Sequence, residues 1–460
     1  MLPGAGEMAL KGRSRPAPHL QRHPARHRAH SPDLIQFPFG APAPLQVAGV
    51  STAVFLAVLQ RVFKAFQYRD YRLVWIGACA SSIGTWMQIL AQSLLVFDLS
   101  HHSAFMLGLD AFLGGIPIFL FSLIGGVVAD RIDRRHVLLG SQYTQMTSAA
   151  ILTALVAFHL VHVWHILCLS FLSGFAQAFG GPAYQALVPM LVDREDLPNA
   201  IALQSIQFNV ARMVGPMLGG LTLASLGNTW CFGLNALSFL APIVSLTVIR
   251  LRFLPQKTEM SILQDMKLGI AFVRKQHAME ALIVLAFLMT ALGIPLMNFL
   301  PVFARDIFHD PGGTKLTIFL SCSGAGSIAG ALTVASLGNI RRKGLLALAT
   351  LTLLGFWIAA FAVSTRFLLS CAILFLAGAS LMVVFAMVNS LVQLITTHEM
   401  RGRVMSVYNV AFRGGMPMGS LLTGRLVHMW SAPPVLAANG LLLMCVGLYF
   451  LFVQRRVATL

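Results

Sequence analysis

Three ionisable side chains stand inside long apolar stretches of this sequence: Asp110, Arg212 and Arg413. A charge in lipid is costly, so each must face a water-filled cavity or a partner. A carboxylate in such a place can bind a proton in one conformation and release it in another. A guanidinium can be its cationic partner, or a strut to carbonyl oxygens. Asp110 is the one carboxylate well inside its stretch, so it is the candidate coupling group, with Arg212 and Arg413 as possible partners. Gln88, Gln92, Gln207, Asn235, Asn298 and Asn389 are uncharged polar groups in similar surroundings. Some of them are expected to line a pathway and the rest to hydrogen-bond between helices.

Other chemistries find no residues to carry them. There is no Gly-x4-Gly-Lys-Ser/Thr phosphate loop, so direct ATP use is not expected. Gly324-Ala-Gly326-Ser-Ile-Ala-Gly330 lacks the spacing of a dinucleotide fingerprint and falls inside an apolar segment. No paired His or carboxylate cluster suggests hydrolysis. The six cysteines all lie in apolar segments without metal-ligand spacing and read as small packing residues. No enzyme activity, cofactor or metal is therefore expected.

The elements that must position these residues follow from composition. Of 460 residues 57% are hydrophobic and only 11% charged, against about 25% charged in a soluble domain. Such a chain cannot cover a water-facing surface, and lipid must be its solvent. From Arg72 onward about twelve membrane-length segments follow, on the ~20-residue criterion. They run near 72–97, 104–129, 136–159, 163–187, 198–224, 229–250, 279–304, 314–337, 344–363, 367–396, 402–428 and 433–454. Lys and Arg collect in alternate loops, which puts both termini and the long central loop on the cytoplasmic side. The net charge of +17 thus points to anionic lipid rather than nucleic acid.

The amino-terminal residues differ. Residues 1–45 read as a disordered basic arm, rich in Arg, His and Pro, although His19, His23, His27 and His30 have a spacing that could bind metal. Residues 46–70 hold an apolar run too short to span, and read as an interfacial helix.

The chain also repeats. Gln185 to Gly215 matches Asn389 to Gly419, with Leu187 against Leu391, Glu195 against Glu399 and Phe208 against Phe412. Basic pairs Arg134-Arg135 and Arg341-Arg342 recur after the second span of each half. This predicts an all-α membrane protein of two parallel six-helix halves, 71–250 and 279–456, joined by a cytoplasmic linker, 251–278. A solute site is then expected between the halves near the midplane.

Two motifs add specificity. Gly126-Val-Val-Ala-Asp130-Arg131-Ile-Asp133-Arg134-Arg135 lies between spans 2 and 3. Gly126 would let span 2 approach a neighbour closely. Asp130 can accept from the N–H groups at the start of another helix, where the dipole is positive. Arg131, Arg134 and Arg135 can meet lipid phosphates or hold Asp130. Span 5 carries Ala202-x8-Ala211-x3-Gly215-Pro216-x2-Gly219-Gly220, whose small residues allow close backbone approach and whose proline bends the helix.

The first motif resembles the loop between helices 2 and 3 of the major facilitator superfamily, with Asp133 where glycine is usual. The second resembles its antiporter signature, with alanine at two positions that are usually glycine. Phe66-Gln-Tyr-Arg69-Asp70-Tyr-Arg72-Leu, Gly84-Thr-Trp86-Met-Gln88 and Arg401-Gly-Arg403-Val-Met-Ser-Val-Tyr408 are similar to the bacterial branch that includes the enterobactin exporter. The likeness covers nearly all of 68–456. It implies a secondary-active transporter of a bacterial inner membrane, monomeric, exporting a small amphipathic molecule against protons. It also implies that Asp130 acts at the start of span 11 as a gate. One departure stands out. Ser170, four residues before Gly174, occupies a position where relatives often carry an arginine used in proton coupling, so another group must serve. An importer or facilitator, or a transporter-like sensor or scaffold, are the alternative readings.

Overall fold

A computed structural model describes residues 63–249, 262–337, 342–397 and 399–459, with the side chains of Asp130 and of 262–266 not described. The basic arm 1–45, most of the segment 46–70 and the first part of the linker therefore lie outside the described residues.

In lipid every backbone N–H and C=O must be satisfied within the segment, and a helix does this. Among the described residues twelve long helices follow one another: α1 (Arg69–Leu99), α2 (Ala104–Arg131), α3 (Arg134–Ala157), α4 (Val163–Leu187), α5 (Leu197–Leu226), α6 (Asn228–Val248), α7 (His277–Ile307), α8 (Thr314–Leu337), α9 (Lys343–Val363), α10 (Phe367–Ile395), α11 (Arg401–Trp430) and α12 (Ala432–Val453). No strand occurs among the described residues. Nine of these helices are long and apolar enough to cross a membrane by length and composition. The other three, α3, α5 and α11, are long but more polar. They include the two helices that carry Arg212 and Arg413.

The two halves pack alike. In the first half α1 lies on α5, α2 on α4, α3 on α4 and α3 on α6; in the second, α7 lies on α11, α8 on α10, α9 on α10 and α9 on α12. Glycines make the tightest of these crossings. A Cβ at Gly174 would stand 2.2 Å from Gly114 O, and one at Gly378 would stand 2.2 Å from Ser323 O. The positions 174 and 378 are equivalent in the sequence repeat. So one crossing, backbone against backbone, is built twice.

The halves meet along α2 with α11 and α5 with α8. The end of the bundle holding the Arg131–Arg135 turn is called here the basic end, and the opposite one the far end. A continuous buried cluster joins Met87, Leu90, Leu94 and Phe97 of α1 to Leu300, Phe303, Leu316 and Phe319 of the second half. Near the basic end the first half keeps a separate cluster, with Tyr71, Ala129, Leu138, Leu187 and Leu246. The shared core thus lies toward the far end.

Helix α7 ends irregularly. Pro295 and Pro301 interrupt it, and Phe303–Ile307 closes it with one π turn. The linker helix Ile262–Lys275 lies across the start of α11, where a Cβ at Gly269 would come within 2.8 Å of Arg403 O.

Candidate functional site

Asp110 sits six residues into α2, about 9 Å below the far end at 1.5 Å per residue. Its two oxygens have separate donors. Ser170 Oγ of α4 donates to Oδ1 at 2.5 Å, and Gln92 Nε2 of α1 donates to Oδ2 at 2.9 Å. Gln92 Nε2 also lies 2.9 Å from Ser170 Oγ. Behind Gln92 the chain continues. Gln88 Nε2 donates to Gln92 Oε1 at 3.1 Å, and Asn235 Nδ2 of α6 donates to Gln88 Oε1 at 2.6 Å. Ser238 Oγ in turn reaches Asn235 Oδ1 at 3.3 Å. Every amide donates toward the carboxylate. Four helices of the first half therefore converge on one acid through a directed row of side chains.

This arrangement assigns a use to Ser170, which the sequence marked only as a departure. It also corrects the expected pairing: neither Arg212 nor Arg413 contacts Asp110. Arg212 lies fourteen residues from the far end of α5, about 21 Å away, so the depths differ by about 12 Å. Arg212 instead spans the seam. Its Nη1 is 3.2 Å from Ser327 Oγ of α8, and its Cζ stands 5.7 Å from the centre of the Trp86 ring. Arg413, near the middle of α11, has no hydrogen bond or ion pair among the described residues. Its neighbour Gly414 faces Phe119 of α2.

The other polar candidates sort into helix-to-helix contacts. Gln207 Nε2 reaches Ser82 Oγ of α1 at 2.7 Å and Ala78 O at 3.2 Å. Asn298 Nδ2 donates to Ser420 Oγ at 2.7 Å, joining α7 to α11. Asn389 accepts from Gln393 of its own helix at 2.9 Å. Gln88, Gln92 and Asn235 belong to the Asp110 row.

In the basic turn, Asp133 caps α3, accepting from Arg135 N at 2.9 Å. The aspartate that stands where glycine is usual thus satisfies a helix-end donor. Arg134 donates to Ala129 O at 3.2 Å and to Ala186 O at 3.0 Å, closing the ends of α2 and α4. Arg135 Nη2 reaches Thr247 O near the end of α6 at 2.7 Å. Arg134 and Arg135, expected to meet lipid phosphates or to hold Asp130, also reach the carboxyl ends of neighbouring helices, where the dipole favours a cation. Arg131 is exposed. Asp130 lies on the last turn of α2, with its side chain outside the described residues. The close approach expected at Gly126 occurs one residue earlier. A Cβ at Gly125 would stand 2.2 Å from Ala178 O of α4, whereas one at Gly126 would meet no described atom within 4 Å.

The small-residue motif of α5 faces two ways. Cβ atoms at Gly215 and Gly219 would crowd α1, at 2.4 Å from Trp86 Cβ and 3.0 Å from Met87 Cγ. One at Gly220 would stand 2.2 Å from Thr317 Oγ1 of α8, in the other half. Ala211 and Pro216 are buried, while Ala202 is exposed.

At the far end two contacts join the halves that the sequence did not suggest. Arg305 Nη2 meets Asp98 Oδ2 at 2.6 Å, and His102 Nδ1 lies 3.2 Å from Asp306 Oδ1. The π turn at the end of α7 presents both Arg305 and Asp306. Arg305 is held in turn by Asp310 O and Pro311 O.

At the basic end, Lys64 reaches Asp196 Oδ1 at 2.6 Å, while Gln67 Nε2 and Tyr68 Oη donate to Oδ2 at 2.8 Å and 2.9 Å. The Lys64 hydrogen bond holds the Asp196 carboxyl below its ordinary 3.8, against the opposing effect of desolvation. The same contact raises the Lys64 ammonium.

Residues 61–459 match the transmembrane secretion effector family. Macrolide efflux protein A of Streptococcus pyogenes is 23% identical over 399 residues, covering 83% of this chain and 96% of that one. The enterobactin exporter EntS of Escherichia coli O139:H28 is 28% identical over 363 residues, covering 76% and 84%. Among solved structures, the nucleoside transporter NupG has a TM-score of 0.63 at 16% identity, covering 83% of this chain and 98% of that one. A POT family transporter in complex with a thioalcohol conjugated peptide has a TM-score of 0.68 at 11% identity, covering 85% and 96%. These structures share the fold.

Proposed function

The chain belongs to the transmembrane secretion effector family of major facilitator transporters, and from that membership we propose that it is a proton-coupled exporter of a small amphipathic molecule. It works as a monomer in a bacterial cytoplasmic membrane, with both termini and the basic end inside, against anionic lipid. Export rather than import is supported by the relatives, one an efflux protein and one an exporter.

The observation that carries the coupling is the Asp110 site. A membrane-embedded carboxylate with no cationic partner among the described residues is held by donors from α1 and α4, and the α6 amide feeds the same row. When the far end opens, Asp110 takes a proton from outside. When the basic end opens, the row of amides re-forms on the carboxylate and the proton leaves inward. The seams α2–α11 and α5–α8 are the surfaces on which the two halves rock, and the Asp130 turn closes the basic end on the start of α11. The pathway lies between the halves, with the polar groups of α5 and α11 nearest to it.

Two measurements test this. A deletion strain and its complement are compared for accumulation of a panel of macrolide-like and siderophore-like compounds. Proteoliposomes then compare wild type with Asp110→Asn. The variant should lose gradient-driven export and keep substrate counterflow. Uphill export by Asp110→Asn at the wild-type rate would remove Asp110 from the mechanism.

A further inference from the structure

The seam at the middle of the membrane holds more positive charge than the protein neutralises. Arg212 is central in α5, and a guanidinium stays protonated in proteins. Of its five N–H donors, Nη1 alone is engaged, with Ser327 Oγ. Its remaining nitrogens have no hydrogen-bond partner among the described residues, and they are not among the atoms sealed off from solvent-sized access. Ser327 is itself set as an acceptor: its own hydroxyl points at Ser323 O, 3.0 Å away, and Gly378 O, 3.3 Å away. It orients the guanidinium without answering its charge.

Among the described residues no carboxylate is placed to do so. α5, α8 and α11 contain no Asp or Glu, and those of α1 and α7 stand near the helix ends, at Asp70, Asp98, Glu280 and Asp306. Asp110 is about 12 Å away in depth and has its own donors. Arg413, on the helix equivalent to α5 in the second half, likewise has no ion pair among the described residues. Removing a charge from water without a partner costs several kcal/mol, and a site of one sign concentrates ligands of the other. Beside Arg212 stands an aromatic wall: the Trp86 ring lies 5.7 Å from Cζ, and Phe208 meets Trp86 edge-on with ring centres 6.0 Å apart. Phe208 is one helical turn from Arg212, so both reach the same surface.

We propose that Arg212, oriented by Ser327 and flanked by Trp86 and Phe208, docks the anionic group of an aromatic or lipophilic transported molecule. This rests on the transporter reading and narrows it: the cargo is an amphipathic organic anion, not a lipophilic cation. The guanidinium fork suits a carboxylate or sulfonate, two of whose oxygens accept parallel N–H donors. The indole packs the apolar body beside it.

The test uses two probes with the same ring and opposite charge, naphthalene-2-sulfonate and 1-naphthylmethylammonium. Purified full-length protein in nanodiscs, with Trp86 kept and its other five tryptophans replaced by Phe, is titrated while Trp86 fluorescence is followed. The sulfonate should quench saturably and the ammonium should not. Arg212→Gln should weaken sulfonate binding tenfold or more, and Arg212→Lys by less, since it keeps the charge and loses the fork. Thermal melting without probe is read on each variant. If Arg212→Gln does not fold, Ser327→Ala and Phe208→Leu carry the comparison, each with a several-fold loss expected. Preference for the ammonium, or unchanged sulfonate affinity in folded variants, overturns the proposal. Because binding is read without transport, sulfonate binding in a protein that fails counterflow would defeat the exporter reading and leave this site standing. Uphill export of cations alone would do the reverse.

Discussion

Cutting the far-end contact between Asp98 and Arg305 should open that end measurably. The pair is 2.6 Å long, with side-chain exposures of 43% for Asp98 and 16% for Arg305. Exposed ion pairs contribute about 0.2–1 kcal/mol, and hydrogen bonds to charged groups about 1.5–3 kcal/mol. A half-covered pair on the rim falls at the top of the exposed range, about 1 kcal/mol. The neighbouring His102–Asp306 contact, 57% and 44% exposed, adds less. Asp98→Asn should then shift the ratio of far-end-open to far-end-closed molecules about fivefold. Spin labels on His101→Cys and Gly312→Cys, in a background without native cysteines, would read this by pulsed dipolar EPR in nanodiscs. The longer-distance fraction should rise in Asp98→Asn and in Arg305→Gln, and the double variant should gain little more, because both changes remove one interaction. High salt should narrow the difference. Distance distributions identical to the parent in both single variants, or fully additive effects in the double, would refute the assignment of the pair as a latch.

Three further outcomes are expected. Cysteine probes at 99–103, 226–229, 306–313 and 430–434 should react from outside intact cells, and probes at 132–135, 257–267 and 398–402 should not; labelling of the central loop from outside would invert the topology. Asp130→Asn should express near normally with slowed turnover, since a charge at a helix start is worth about 0.3–1 kcal/mol; unimpaired turnover would show that the turn only sets topology. Asp196 has a depressed carboxyl, so its clamp on Lys64 and Tyr68 is fully present above pH 3.8 and fades as pH falls through its lower folded value. Hydrogen exchange at 64–71 should therefore be flat from pH 7 to 5 after correction for intrinsic rates, with protection lost only below pH 3.8. Loss of protection near neutrality would contradict the assignment.

The twelve helices were legible because length and apolarity are local properties. The predicted span 72–97 became Arg69–Leu99, and 314–337 became Thr314–Leu337. The repeat was legible too, since Gly174 and Gly378 do the same work at equivalent positions. What escaped was pairing. Nothing near Ser170 in sequence indicates that its hydroxyl faces Asp110 sixty residues away. Gln92 and Asn235 were named as polar groups, but their common alignment on one carboxylate is a property of four packed helices. The close approach was read at Gly126 and falls at Gly125, because rotation by one residue turns a helix by about 100°. The Asp98–Arg305 pair depends on a π turn, and Pro295 and Pro301 announce a break in α7 without announcing its shape.

The order of synthesis gives the seam contacts a history. Every crossing within the first half is complete once residue 248 has left the ribosome, with nearly half of the 460-residue chain still to be made. At about 5–20 residues per second that interval lasts roughly ten to forty seconds. Ser327 is made only 79 residues into it, roughly 4–16 seconds on, so until then Arg212 waits in a newly inserted half-bundle with Trp86, from its own half, as its partner. The indole thus serves a nascent intermediate before it serves the finished protein. A Trp86→Leu chain should spend that interval as a target for membrane proteases, and this loss should appear as reduced yield of the protein, separate from any weakened docking in the molecules that survive.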